Sequence, residues 1–191
     1  MKKILMIVGS LRNNSLNMQL AKIAEEMLDG KAQVSFLDYA DIPFMNQDIE
    51  YPAPESVSRV RQIVKEADAV WFFTPEYNSY IPGVLKNLLD WLSRTLQPND
   101  MNWNPVLKEK PAVISSVAGK GAGEGARKNL SSLLEILAMN VVGNLGIAAD
   151  GEVFQSDKLE ISEDITCPCK IFQVFHHHCL FAARTVRKVC Q

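Results

Sequence analysis

Apolar positions along the chain fall into two alternating patterns. Short runs that are apolar throughout alternate with longer stretches whose apolar residues recur every three or four positions. The first run, Ile4, Leu5, Met6, Ile7 and Val8, has the character of a strand buried on both faces of a parallel sheet. Gly9 closes it, and residues 16–28 then carry Leu16, Leu20, Ile23, Ala24, Met27 and Leu28 on one helical face. Gly30 suits the end of that helix. Residues 33–39 predict a second strand, and residues 40–53, with Pro43 and Pro52, predict irregular structure. Pro54 and Glu55 open a helix through Val57, Val60, Ile63, Val64 and Ala67. Residues 69–74 read as a third buried strand, in which Trp71, Phe72 and Phe73 are core. A loop at 75–82 leads to a helix from Pro82 or Gly83 carrying Leu85, Leu88, Leu89 and Leu92. A polar excursion at 97–110 precedes a fourth strand at 111–117, a glycine-rich loop at 118–124, a helix at 126–139 and a fifth strand at 141–148.

Five strands alternating with helices call for an α/β fold: a parallel sheet covered on both faces, with right-handed crossovers. In such folds ligands sit outside the carboxyl ends of the strands, at the topological switch point. That rule selects residues 9–17, 75–83 and 115–125.

Composition narrows the class. The 191 residues are 47% apolar and 22% charged, enough for one domain with a substantial core. Lys and Arg number 20 against 22 for Asp and Glu, a net charge of -2 that gives no footprint for nucleic acid or an anionic membrane. Met1, Lys2 and Lys3 before an apolar run resemble a signal peptide, but the run ends at Gly9 and Ser10 and passes into Arg-containing sequence. A buried strand and a cytoplasmic location are the expectation. Cys167, Cys169, Cys179 and Cys190 leave the body of the chain free of cysteine, so the core stands on its own packing rather than on disulfides.

The first loop holds Gly9, Ser10, Arg12, Asn13, Asn14, Ser15 and Asn17 directly before a helix. Free N–H groups and the positive end of the helix dipole favour an anion there, and hydroxyls with a guanidinium complete the coordination of a phosphate monoester. It is neither a Walker A loop nor Gly-x-Gly-x-x-Gly, so a mononucleotide suits it better than a dinucleotide. The plainer reading is a polar loop in which Ser15 only caps the helix. The second loop combines Tyr77 and Tyr80, flat apolar surfaces, with the polar Glu76, Asn78 and Ser79 between stiffening prolines. A planar heterocycle needs that mixture, although packed-down tyrosines on a rigid connector would look the same. In the third loop, glycines alternating from Gly119 to Gly125 let backbone amides approach a ligand, or simply make the loop flexible. The coincidence of all three at adjacent strand ends favours one mononucleotide lying across the sheet edge.

Gly9-Ser10-Leu11-Arg12-x-x-Ser15-x-Asn17 and Pro75-Glu76-Tyr77-Asn78-x-x-x-Pro82-Gly83-x-Leu85-Lys86-Asn87-x-x-Asp90-Trp91-x-Ser93-Arg94 resemble the signatures of the NADPH-dependent FMN reductase family, which includes flavodoxin-like quinone, azo-dye and chromate reductases. The likeness runs from Lys3 to about Ala148. It implies a flavodoxin-like, doubly wound five-stranded sheet of order 2-1-3-4-5 and FMN held without a covalent bond. By matched motif, Ser10, Arg12, Ser15 and Asn17 would hold the phosphate, and Pro75, Glu76, Tyr77 and Asn78 would border the isoalloxazine ring. Ser116 and Gly119 would lie near the ring or the ribityl chain. The resemblance further implies hydride taken from NADPH or NADH and passed on to a quinone, azo compound, flavin or metal ion, with no obligatory side-chain acid or base. It also implies a homodimer or homotetramer in which the helix at 86–94 contributes to the interface; Trp91 and Leu92 could be core or interface, and the resemblance favours interface.

Two other kinds of protein of this fold class suit the residues less well. A flavodoxin-like electron carrier without nicotinamide activity would be strongly acidic, unlike a chain of charge -2, and Arg12 suits a reductase better. A phospho-acceptor receiver domain needs an acidic pair after the first strand, which Gly9-Ser10-Leu11-Arg12 lacks.

The chain is read as one domain over residues 1–191, with a tail from about residue 157 that departs from the family pattern. Cys167, Cys169, His176, His177, His178 and Cys179 look like zinc ligands, but Cys-x-Cys lacks the usual spacer and adjacent histidines diverge on a helix, so no metal site is expected. Apolar spacing from Ile171 to Val189 is compatible with a last helix. Met101 and Trp103 in the polar excursion could form a lid over the ring or cover surface.

Overall fold

The computed structural model describes residues 1–159. Its elements run β1 (Lys3–Val8), α1 (Leu16–Met27), β2 (Gln33–Phe36), α2 (Glu55–Glu66), β3 (Ala69–Phe73), α3 (Gly83–Leu92), β4 (Pro111–Ala118), α4 (Glu124–Ile136), β5 (Asn140–Ala148) and α5 (Gly151–Ser156). All strand pairs are parallel and the order is β2-β1-β3-β4-β5, the flavodoxin-like arrangement expected.

Strand alternation sorts the core into two layers. Leu5, Ile7, Val70, Phe72, Ala112 and Ile114 face α2, α3 and α4, where they meet Val60, Val64, Leu85, Leu88, Leu92, Leu130 and Leu134. Ile4, Met6, Val8, Trp71, Phe73 and Val113 face the other way onto Leu16, Leu20, Ala21 and Ala24 of α1. β3 is apolar at every position and β1 from Ile4 onward because both faces are covered, while β4 carries the buried Ser115 and Ser116 near its carboxyl end. Trp71, Phe72 and Phe73 are core as expected, and the Trp71 and Phe73 rings stack with centroids 5.1 Å apart.

Register brings the three loops together. Val8 pairs with Phe73, and Phe73 with Ser115, so Gly9, Thr74 and Ser116 succeed one another along the carboxyl edge. The Gly9 N–H donates to Phe73 O at 2.8 Å and the Thr74 N–H to Ser115 O at 2.9 Å.

Several boundaries differ from the sequence reading. β2 stops at Phe36, since Leu37 makes the last bond to Met6 O and the chain then turns so that Tyr39 Oη donates to Val8 O at 2.7 Å. α4 ends at Ile136, and Ala138 takes a left-handed conformation (φ 58) that folds Leu137 and Met139 back into the core. Their apolar character reflects that burial, not a longer helix. α5 was not foreseen; Asp150 caps it by accepting the Glu152 and Val153 N–H groups. Trp91 is no interface residue in the sense the resemblance implied. It is 1% exposed within the single chain, and its indole N–H donates to Pro43 O at 2.8 Å.

Among the described residues no helix is long and apolar enough to cross a membrane. The Cys/His cluster and the last helix of the tail lie outside the described residues.

Candidate functional site

The first loop leaves β1 at Gly9 and enters α1 at Ser15. Ser15, extended and buried, is the N-cap, and its Oγ accepts the Met18 N–H at 3.3 Å. Its own O–H is left to donate, and the first N–H groups of α1 have no intrahelical partner. Capping and anion binding are thus compatible uses of one residue. Ser10 Oγ accepts the Arg12 N–H at 3.3 Å. The Arg12 guanidinium is exposed and ion-paired with Asp157, just beyond α5. Gln19 holds that segment on α1: its side chain donates to Asp157 O and accepts the Leu159 N–H, both at 2.8 Å. Asn17 is buried, and its amide closes a two-bond pairing with the backbone of Val117, at 3.0 and 2.9 Å. That pairing fastens the mouth of α1 to the end of β4.

The second loop is a tight hairpin. Tyr77 and Tyr80 exchange backbone hydrogen bonds at 3.0 Å, and Asn78 (φ 52) and Ser79 (φ 62) are both left-handed, the geometry of a type I′ turn. The turn holds Tyr77 and Tyr80 half-exposed at its base. Thr74 Oγ1 donates to Pro75 O at 2.9 Å, and Glu76 Oε2 accepts the Ala126 N–H at 2.9 Å in the first turn of α4. Asn129 adds a bond to Ser79 O at 3.1 Å.

The third loop meets the second at Gly125. A Cβ there would lie 2.8 Å from Ser79 O and 3.0 Å from Glu76 Oε2, so the approach of hairpin to helix requires glycine. Gly123 is left-handed (φ 70) and lies directly on Ser116. Ser116 is fully buried, and its Oγ has no partner among the described residues. Gly119 is open, with no atom within 4 Å of the place its Cβ would take.

All the residues expected from the sequence therefore lie along one edge, linked in sequence from loop to loop. Sequence reasoning missed three contributors. Tyr39 spans from the end of β2 to Val8 O, and burial pushes its phenol pKa far above the ordinary value. Asn87 pins the segment after β2 by accepting the Met45 N–H at 2.7 Å and donating to Pro43 O at 3.0 Å. Asp157 is the third. Of the three only Asn87 is legible, as part of the motif at 75–94; it lies on the face of α3 away from Leu85, Leu88, Leu89 and Leu92. Two cavities open between these groups. One of about 370 Å³ is bordered by Ser10, Arg12, Asn13 and Tyr39, and one of about 310 Å³ by Leu11, Pro43, Phe44, Val84 and Asn87.

This donor set fits FMN. A guanidinium and hydroxyls at a helix mouth suit the phosphate, the tyrosine hairpin suits a flat ring, and the orphaned Ser116 hydroxyl awaits a polar partner. The model for NADPH-dependent FMN reductases matches residues 2–152, most of the chain. The chain belongs to the NADPH-dependent FMN reductase family. As a member it is an NAD(P)H-dependent oxidoreductase that uses FMN, and the electron-carrier alternative is set aside. Its relatives include a quinone reductase of Pseudomonas putida, 35% identical over 66% of this chain and 68% of that protein. A 2-hydroxy-1,4-benzoquinone reductase from a Burkholderia species is 34% identical over 72% of this chain and 74% of that one. Among solved structures, the flavoenzyme NAD(P)H:(acceptor) oxidoreductase FerB of Paracoccus denitrificans superposes with a TM-score of 0.75 at 30% identity, covering 90% of this chain and 93% of that one.

Proposed function

We propose that this FMN reductase uses a quinone as its electron acceptor. We further propose that Ser10, Arg12, Ser15, Asn17, Pro75, Glu76, Tyr77, Asn78, Ser116 and Gly119 form its flavin site. The observation that carries the reading is the joining of an anion-ready helix mouth to a rigid tyrosine hairpin on one sheet edge, beside an apolar cavity bordered by Pro43, Phe44 and Val84. Relatives named as quinone reductases support the choice of acceptor.

FMN, when bound, supplies the redox chemistry, taking hydride from the nicotinamide and reducing the acceptor. The chain's residues bind and orient. Arg12, the Ser10 and Ser15 hydroxyls and the N–H groups of α1 hold the phosphate by charge-assisted hydrogen bonds. Asn17 acts by position, since its amide already joins α1 to β4. The N–H groups of Tyr77 and Tyr80 close the hairpin, and those of Glu76 and Asn78 would be the donors available to the ring edge. Ser116 Oγ, buried and without a partner among the described residues, would be a donor for a ring or ribityl oxygen. No side chain is assigned as a general acid or base.

Phe44, 84% exposed beside the acceptor cavity, supports a homodimer or larger homo-oligomer that covers it. The cytoplasm is the proposed location.

The test is anaerobic stopped-flow on FMN-loaded protein. NADPH should bleach the visible bands, and 1,4-benzoquinone should restore them far faster than an azo dye does. Bleaching with no preference for the quinone would refute the acceptor and leave the reductase intact.

A further inference from the structure

A third cavity, of about 580 Å³, lies away from the loops of the flavin edge. One wall is a stripe of α2, Ser58, Arg61, Gln62 and Lys65, at the three- and four-residue spacing that puts side chains on one helical face. The opposite wall is apolar, with Leu96, Pro98 and Val106 from the polar excursion, and Tyr51 and Pro52 close one end.

The charge on this wall is not balanced locally. Arg61 is 5% exposed, yet among the described residues no carboxylate lies within ion-pair distance of it. Nη2 donates to Trp91 O at 3.1 Å, and Nε is buried with no partner among the described residues. The nearby Trp91 ring, 5.9 Å from the guanidinium carbon, offers its π face. Glu50, the buried acid of this region, attracts Arg61 through space but is hydrogen-bonded to Arg94, which reaches its two oxygens at 2.6 and 3.1 Å, so one carboxylate serves two guanidiniums. Glu66 accepts from Gln62. Lys65 has no acidic partner among the described residues. A buried guanidinium that must share its one nearby carboxylate with a second arginine is costly, and an anion in the adjoining cavity would reduce that cost.

We propose that this cavity binds a small organic carboxylate, its anionic end held by Arg61 and Lys65 and its apolar body laid along Leu96, Pro98 and Val106. The planar, two-oxygen head matches the fork of a guanidinium. The apolar wall favours a carbon skeleton over a bare inorganic anion, which would leave that wall against water.

Calorimetric titration of the full-length, FMN-saturated protein with sodium benzoate at low salt tests the assignment, because the flavin's own phosphate then occupies the Arg12 loop. One saturable site is expected, weakened about tenfold in Lys65→Gln and at least as much in Arg61→Gln, the loss typical of a charge-assisted contact. Lys65 is exposed, so its variant should fold normally and keep wild-type FMN affinity and NADPH:quinone turnover. No saturable binding overturns the proposal. So does binding that is unchanged in Lys65→Gln, that competes with NADPH, or that inorganic phosphate reproduces equally well.

Discussion

Glu76 Oε2 accepts the Ala126 N–H at 2.9 Å, joining two loops fifty residues apart in the chain. The carboxylate sits at the positive end of α4 and does the work of an N-cap that Gly123, having no side chain, cannot supply. Glu76→Ala should lower stability by about 1 kcal/mol, as lost caps do, and weaken FMN binding as the hairpin loosens. Glu76→Gln, which keeps the accepting oxygen, should recover most of the stability. Thermal melts with and without FMN check both, and equal losses in the two variants would rule out the capping role.

Gly125→Ala tests the closeness of hairpin and helix. A methyl 2.8 Å from Ser79 O must push backbone aside, at a cost of about 1–3 kcal/mol by the usual penalty for overpacking. The expected result is a lower melting temperature together with weaker FMN affinity. An unperturbed flavin titration would show that the 77–80 turn does not border the ring.

Asn17→Ala removes both bonds to Val117 and leaves a buried N–H and C=O unpaired, at about 1–3 kcal/mol for each. Stability should fall in FMN-free protein as well as in the loaded form. Urea denaturation of the FMN-free variant is the measurement, since a residue needed only for phosphate would leave it unchanged.

Arg12 cannot pair fully with Asp157 and with a phosphate at once. Asp157→Asn should therefore tighten FMN binding, by no more than about fivefold because the pair is partly exposed and worth at most about 1 kcal/mol. Arg12→Ala should weaken it. Flavin fluorescence titration of the two variants should show opposite shifts.

Acid should destabilise the fold through Glu50 and Asp68. The Arg94 hydrogen bonds hold the Glu50 pKa below the ordinary carboxylate value, and the Lys3 N–H followed by the Lys2 ammonium does the same for Asp68. Both are lowered in the folded state. Their stabilisation is complete above the unfolded-state pKa and is lost as pH falls through the folded-state values. Urea midpoints taken from about pH 6 down to about pH 3 should fall, and Glu50→Gln should flatten part of that slope.

The sequence by itself determined the order of the five strands and the four helices between them, the parallel sheet, and which three loops stand at its carboxyl edge. Runs such as Ile4 to Val8 and stripes such as Leu85, Leu88, Leu89 and Leu92 are local consequences of strand and helix geometry. The motifs at Ser10 to Asn17 and Pro75 to Leu85 stood at strand ends that the topology aligns. What only the tertiary structure decided was how those residues are used. Trp91 is core, Asn17 clasps β4, Glu76 caps α4, Asp157 meets Arg12, and Arg61 stands beside a cavity with no ion-pair partner among the described residues. The physical reason is range. Periodicity reports a residue's surroundings within a turn or two of chain, whereas each of those contacts joins side chain to backbone or charge to charge across 30 to 145 residues, and only packing sets their distance and direction.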